Sequence, residues 1–118
     1  MGNYPEIDNY LDLLSKQREL SKNKEENEDE LNNIQSEIVL AQSDVIRVVE
    51  NILMDMGLKK RKFLSDFDVH MKFDAGLMIK FRKVPSMDFK IAFEKKIDNL
   101  VSANYCGDAK RAFFMFKY

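Results

Sequence analysis

Between Leu31 and Met56 the apolar residues Leu31, Ile34, Ile38, Ala41, Val45, Val48 and Ile52 recur at alternating spacings of three and four. A seam held this way over three heptads predicts a helix packed against another helix. From Ile38 onward Val39, Leu40, Ile46, Val49, Leu53 and Met56 widen the apolar surface. That half of the helix is therefore expected to be covered on more than one side. Gly57 follows directly and suits the left-handed residue that closes a helix.

Upstream, Ile7, Tyr10, Leu11 and Leu14 also recur at helical spacing, behind Pro5 at a position that a first turn tolerates. Residues 6–20 thus read as an amphipathic helix. The stretch from Ser21 to Glu30 is polar but holds neither Pro nor Gly. The seam register passes back through it by way of Asn27, Lys24, Leu20, Gln17, Leu13 and Tyr10. Two structures compete: a hairpin folded at the polar patch, or one continuous helix from about residue 6 to 56, roughly 75 Å long. The absence of breakers favours the continuous helix. Its seam residues Leu20, Leu31, Ile34, Ile38, Ala41 and Val45 would then join two copies as a homodimeric coiled coil.

Past Gly57 a basic connector, Lys59-Lys60-Arg61-Lys62, leads into an alternating stretch. Phe67, Val69, Met71 and Phe73 fall on one face, and Asp66, Asp68, His70 and Lys72 on the other, the period of a half-buried strand. Asp74-Ala75-Gly76 forms a hairpin loop, with Gly76 expected in the left-handed conformation. The return strand sets Leu77, Ile79 and Phe81 inward and Met78, Lys80 and Arg82 outward, and Pro85 ends it. Ser86 is a natural N-cap for a helix whose stripe is Phe89, Phe93, Ile97, Leu100 and Val101. That helix is expected to run to about Ala103, with Asn104 and Gly107 as stop signals. A last strand spans Arg111–Tyr118, with Phe114, Phe116 and Tyr118 on one face and Phe113, Met115 and Lys117 on the other.

The predicted fold class is therefore α+β. A long N-terminal, coiled-coil-like helix precedes a small ββαβ antiparallel-sheet head packed on its end. Residues 1–37 form an acidic helical extension, and residues 38–118 form the head. Phe67, Val69, Phe81, Phe93 and Phe114 are expected to cover the second half of the helix. In this arrangement Val49→Asp would unfold the head, whereas Leu13→Asp would merely loosen the extension.

Charge adds a division that the apolar pattern does not show. The net charge of −1 averages two unlike halves. Residues 1–57 hold 5 Lys and Arg against 13 Asp and Glu, and residues 58–118 hold 14 against 7. Such a split points to different partners for the two halves, or to one half meeting the other in an oligomer. No run of about 18 apolar residues is present, so no membrane span is expected. The first residues carry no basic and apolar leader. Gly2 is followed by Glu6 where a myristoylation motif requires Ser or Thr. One cysteine, Cys106, cannot form an internal disulfide. A cytoplasmic location is expected, or the host-cell cytosol if a mobile element encodes the chain.

The residues that could carry chemistry are few. His70 stands between Asp68 and Lys72 with no nucleophile or Gly-rich turn beside it, so a solvated surface residue outweighs a general base. Asp66, Asp68 and His70 share one strand face, yet three residues of one strand make an incomplete metal site. Asp74 followed by Asp88-Phe89-Lys90 has the spacing of a metal-dependent nuclease, but Asp88 falls at a helix start rather than on a strand. No phosphate-binding loop is present. The chain is thus expected not to be an enzyme and to use no metal or cofactor. A small metal-dependent enzyme remains the weakest alternative.

The expected function is that of a non-enzymatic protein–protein interaction module: a dimeric coiled-coil adaptor, tether or inhibitor with a basic α/β head. The alternative is a nucleic-acid-binding protein. Its contacts, to nucleic acid or to a protein partner, would be Lys59, Lys60, Arg61, Lys62, Lys72, Lys80, Arg82, Lys83 and Arg111.

Overall fold

The computed structural model describes residues 3–73, 75–103 and 110–118. In chain order the elements are α1 (Pro5–Leu20), a 3-10 turn (Ser21–Asn23), α2 (Glu28–Asp55), β1 (Phe67–Lys72), β2 (Gly76–Phe81), α3 (Met87–Lys95), β3 (Leu100–Ser102) and β4 (Arg111–Phe116). The strands form one antiparallel sheet in the order β1-β2-β4-β3. The α+β class holds.

The expected continuous helix is instead two helices, α1 and α2, folded back on each other as a hairpin. The longest dimension of the molecule is 48 Å, too short for the extended rod. The break needs neither Pro nor Gly, because polar side chains help to satisfy the carbonyls at the end of α1. Ser21 Oγ donates to the Gln17 carbonyl at 2.7 Å, and Asn27 Nδ2 donates to the Leu20 carbonyl at 3.2 Å. Glu28, Asp29 and Glu30 then fill the first turn of α2, where acidic groups complement the helix dipole. The driving force lies elsewhere: a straight helix would leave Ile7, Tyr10, Leu11 and Leu13 in water. Folded back, all four are buried, at about 1.5–3 kcal/mol for each fully buried apolar side chain. Gln17 Nε2 donates to Gln35 Oε1 at 2.7 Å across the hairpin.

The end of α2 follows expectation. Gly57 takes φ 103°, with Leu58 N–H donating to the Leu53 carbonyl and Gly57 N–H to the Met54 carbonyl. This is the Schellman pattern. Ser86 caps α3 by accepting the Phe89 N–H at 3.1 Å.

Four details of the head differ from the sequence pattern. First, α3 stops at Lys95, and Leu100–Ser102 is strand β3, so the head is ββαββ rather than ββαβ. Leu100 and Val101 continue the helical spacing of Ile97, but as a strand they satisfy the backbone of β4, which would otherwise be an open edge. Second, Phe73 lies beyond β1 and is 96% exposed instead of facing inward. Third, Ala75, not Gly76, takes the positive φ in the hairpin (61°). Gly76 is needed for space: a Cβ there would meet Lys72 Cβ at 3.0 Å and the Phe73 carbonyl oxygen at 3.1 Å. Fourth, β4 ends at Phe116, and Tyr118 lies beyond it under the Arg18 guanidinium, 4.4 Å from the ring centroid. Asp74, Asn104 and Gly107, which the sequence pattern assigns to loop and stop positions, and the single cysteine Cys106 lie outside the described residues.

All three helices pack on one sheet face. Tyr10 of α1 meets Phe116 edge-on, Phe89 of α3 meets Phe81, and Phe93 meets Phe114. On α2, Ile38, Ala41, Val45, Val49, Ile52 and Leu53 are buried in the same core cluster as Phe67, Leu77, Ile79 and Phe114. The buried residues of α1 belong to that cluster too. Among the described residues no element covers the other face of the sheet. None of the described helices is long and apolar enough to cross a membrane.

Candidate nucleic-acid interface

The open face is built by strand alternation. Asp68, His70 and Lys72 of β1 point to it, with Met78 and Lys80 of β2, Arg111, Phe113 and Met115 of β4, and Val101 of β3. Its charged residues are exposed, while Phe113 and Met115 are half-buried. Met78, set between His70 and Phe113 by the register, is only 9% exposed. Lys80 is the central cation, directly opposite Asp68 on one side and Arg111 on the other.

One end of this face is a groove of about 400 Å³ whose wall includes Arg61, Lys62, Phe63, Lys80 and Arg82. The connector that supplies the first three is pinned into a loop at both ends. The Asp66 N–H donates to the Lys59 carbonyl at 2.8 Å, and the Lys59 N–H donates to Asp66 Oδ2 at 2.8 Å. Inside the loop Ser65 Oγ accepts the Arg61 N–H and donates to the Arg61 carbonyl. Phe63 is left 90% exposed at the rim, with the Lys62 ammonium 5.5 Å from its ring centroid. At the other end of the sheet a shallow cleft of about 360 Å³ is lined by Lys72, Phe73, Phe113 and Met115.

The cations named from the sequence divide into groups. Arg61, Lys62, Lys80 and Arg82 come together in the groove although the connector and β2 are far apart in sequence. Among the described residues no carboxylate pairs with Arg61, Lys62 or Lys80, whereas Arg82 reaches Asp66 Oδ1 at 3.5 Å. Lys60 turns the other way and pairs with Glu50 of α2. Lys59 contributes backbone bonds to the loop. Lys72 sits at the far cleft, and Lys83 lines a separate hollow beside Val84, Pro85 and Phe89. Arg111 flanks Lys80.

Of the residues named as a coiled-coil seam, Ile38, Ala41 and Val45 are 3%, 2% and 0% exposed within the single chain. Leu20, Leu31 and Ile34 are half-buried. Their apolar spacing is met by α1 and the sheet of the same molecule. Among the described residues no three His, Cys, Asp or Glu side chains are arranged to hold a metal ion.

Two aromatic groups at the site escape a reading of the sequence alone. Phe73 is assigned inward by alternation, and Phe63 has no periodic partner that would mark it. The available signal for Phe63 is its place directly after four basic residues. A scan of family models, a search of curated proteins and a search of solved structures each find no match to this chain.

Proposed function

We propose that the protein is a non-enzymatic binding module for single-stranded nucleic acid, which it holds along the groove and the open sheet face. The observation that carries this reading is the convergence of Arg61, Lys62, Lys80 and Arg82 beside an exposed Phe63. Cations neutralise phosphates without reading sequence, and exposed rings give bases a surface on which to stack. The pinned connector loop supports it further, because prepositioned groups lose little freedom on binding. A flat sheet face suits unpaired bases splayed over it better than the deep grooves of a duplex. The adaptor reading loses its main support because Ile38, Ala41 and Val45 already have partners in their own chain.

Fluorescence anisotropy with a labelled single-stranded oligonucleotide at about 50 mM salt tests the proposal. Four neutralised phosphates give a slope of log K against log salt of roughly −3. Lys80→Glu combined with Arg82→Glu should abolish binding. Lys60→Gln should leave it nearly unchanged, because Lys60 is turned to Glu50. No binding by the native protein at low salt would sink the reading.

A further inference from the structure

Among the described residues the sheet has one long unpaired edge. β1 is terminal in the strand order, and among the described residues its six residues pair only with β2. The opposite edge, β3, has three residues. Long open edges are normally blunted, because their free N–H and C=O groups invite another strand.

The alternation of the ladder shows which groups of β1 are free. Arg82 N–H donates to the Asp66 carbonyl at 2.9 Å, so the even-numbered residues of this strand turn their backbone groups toward β2. Phe67, Val69 and Met71 therefore turn theirs to the open edge. Among the described residues no group takes the N–H or carbonyl of Val69 or Met71 there.

We infer that this edge is a self-pairing surface: two copies of the chain join through antiparallel β1 strands about a two-fold axis at His70. Strand order and charge together select that register. With His70 opposite the partner's His70, Asp68 faces the partner's Lys72 and Lys72 faces the partner's Asp68. Val69 faces the partner's Met71, and Phe67 faces the partner's Phe73. The two Val69–Met71 pairs exchange the free backbone bonds, whereas Phe67 and Phe73 meet through their side chains, because the Phe73 carbonyl already accepts the Gly76 N–H. The Asp68–Lys72 pairs fall at non-hydrogen-bonded positions, where opposed side chains stand closest. An axis at residue 68 or 72 would set like charges against each other, whereas this register sets opposite ones. Sliding so that Val69 lies on the axis instead requires Asp66 opposite Lys72, but Asp66 already holds Arg82 and the Lys59 N–H.

The apolar side agrees. Val69 and Met71 are only half-buried in one copy, and Phe73 is 96% exposed just past the end of β1. In the paired arrangement Phe73 lies over the start of the partner's β1, and the apolar layer beneath the sheets runs on across the seam. Such an interface is isologous and closes at two copies.

The test uses the full chain without nucleic acid, at about 100 µM, with mass measured by sedimentation equilibrium and folding checked by circular dichroism. Native protein is expected to be dimeric. Asp68→Lys and Lys72→Asp each oppose like charges twice per interface and should weaken association about tenfold or more. An equimolar mixture of the two variants restores opposite charges at both positions and should dimerise, as should the double variant carrying both changes. Both altered side chains are exposed, so the fold is expected to persist. A monomeric native protein overturns the inference. So does a dimer indifferent to both exchanges, or a mixture that stays as weak as its components.

Discussion

Gly76 and Ala75 show how much a single hairpin residue depends on its neighbours. Ala75 accepts a left-handed φ while fully buried, with its carbonyl bonded to the Phe116 N–H at 2.9 Å. Gly76 has no positive φ, yet it cannot carry a side chain without pushing on Lys72 Cβ and the Phe73 carbonyl. Gly76→Ala should therefore destabilise the protein by about 1–3 kcal/mol through overpacking, read as a lower midpoint in urea unfolding with an unchanged slope. The glycine is plain in the sequence, but its reason is not, since the crowding comes from across the hairpin. Gly57 and Ser86 are the contrary case: helix ends are governed by a few adjacent residues, so both could be placed from the sequence.

At the level of elements, α1 shows where local pattern stops being informative. Its period correctly marks a helix, and its apolar residues are correctly identified. The same period is compatible with a seam against another chain or with a fold back onto this one. The structure places Tyr10 at 1% and Leu13 at 7% exposure, in one cluster with α2 and the sheet. Leu13→Asp should therefore unfold the whole protein rather than loosen an extension. The milder Tyr10→Ala should cost about 3–5 kcal/mol, the range for deleting a large buried ring, measured by thermal or urea unfolding. If Tyr10→Ala left the sheet's stability untouched, α1 would not be part of the core. β3 makes the same point in reverse: its short run continues the helical stripe of Phe93 and Ile97, and only the neighbouring strand β4 shows that a partner is required there.

For the whole molecule, the consequence of the hairpin is that three helices share one face of the sheet and, among the described residues, leave the other uncovered. Arg61, Lys62, Lys80, Arg82 and Arg111 then border that open surface, while Lys60 and Lys83 are turned elsewhere. Phe63 offers a test that separates stacking from charge. Phe63→Ala should weaken oligonucleotide binding by about 1–3 kcal/mol while leaving the salt slope as it was, since no phosphate contact is removed. A changed slope with unchanged affinity at low salt would remove Phe63 from the site.

Periodicity, capping residues and charge counts were enough to establish the α+β class, both N-terminal helical segments, the β1–β2 hairpin, the end of α2 and the cap of α3. Each depends on contacts a few residues apart, whose chemistry is written in adjacent positions. Whether residues 21–27 continue a helix or reverse it could not be read that way. A polar stretch without Pro or Gly supports either, and the outcome turns on apolar area buried between Tyr10, Ile38 and Phe116, which are far apart in the chain. The same holds for the candidate interface. The sequence pattern marks nine basic residues, but the meeting of Arg61 and Lys62 with Lys80 and Arg82, and the diversion of Lys60 to Glu50, exist only once the connector is folded against the sheet.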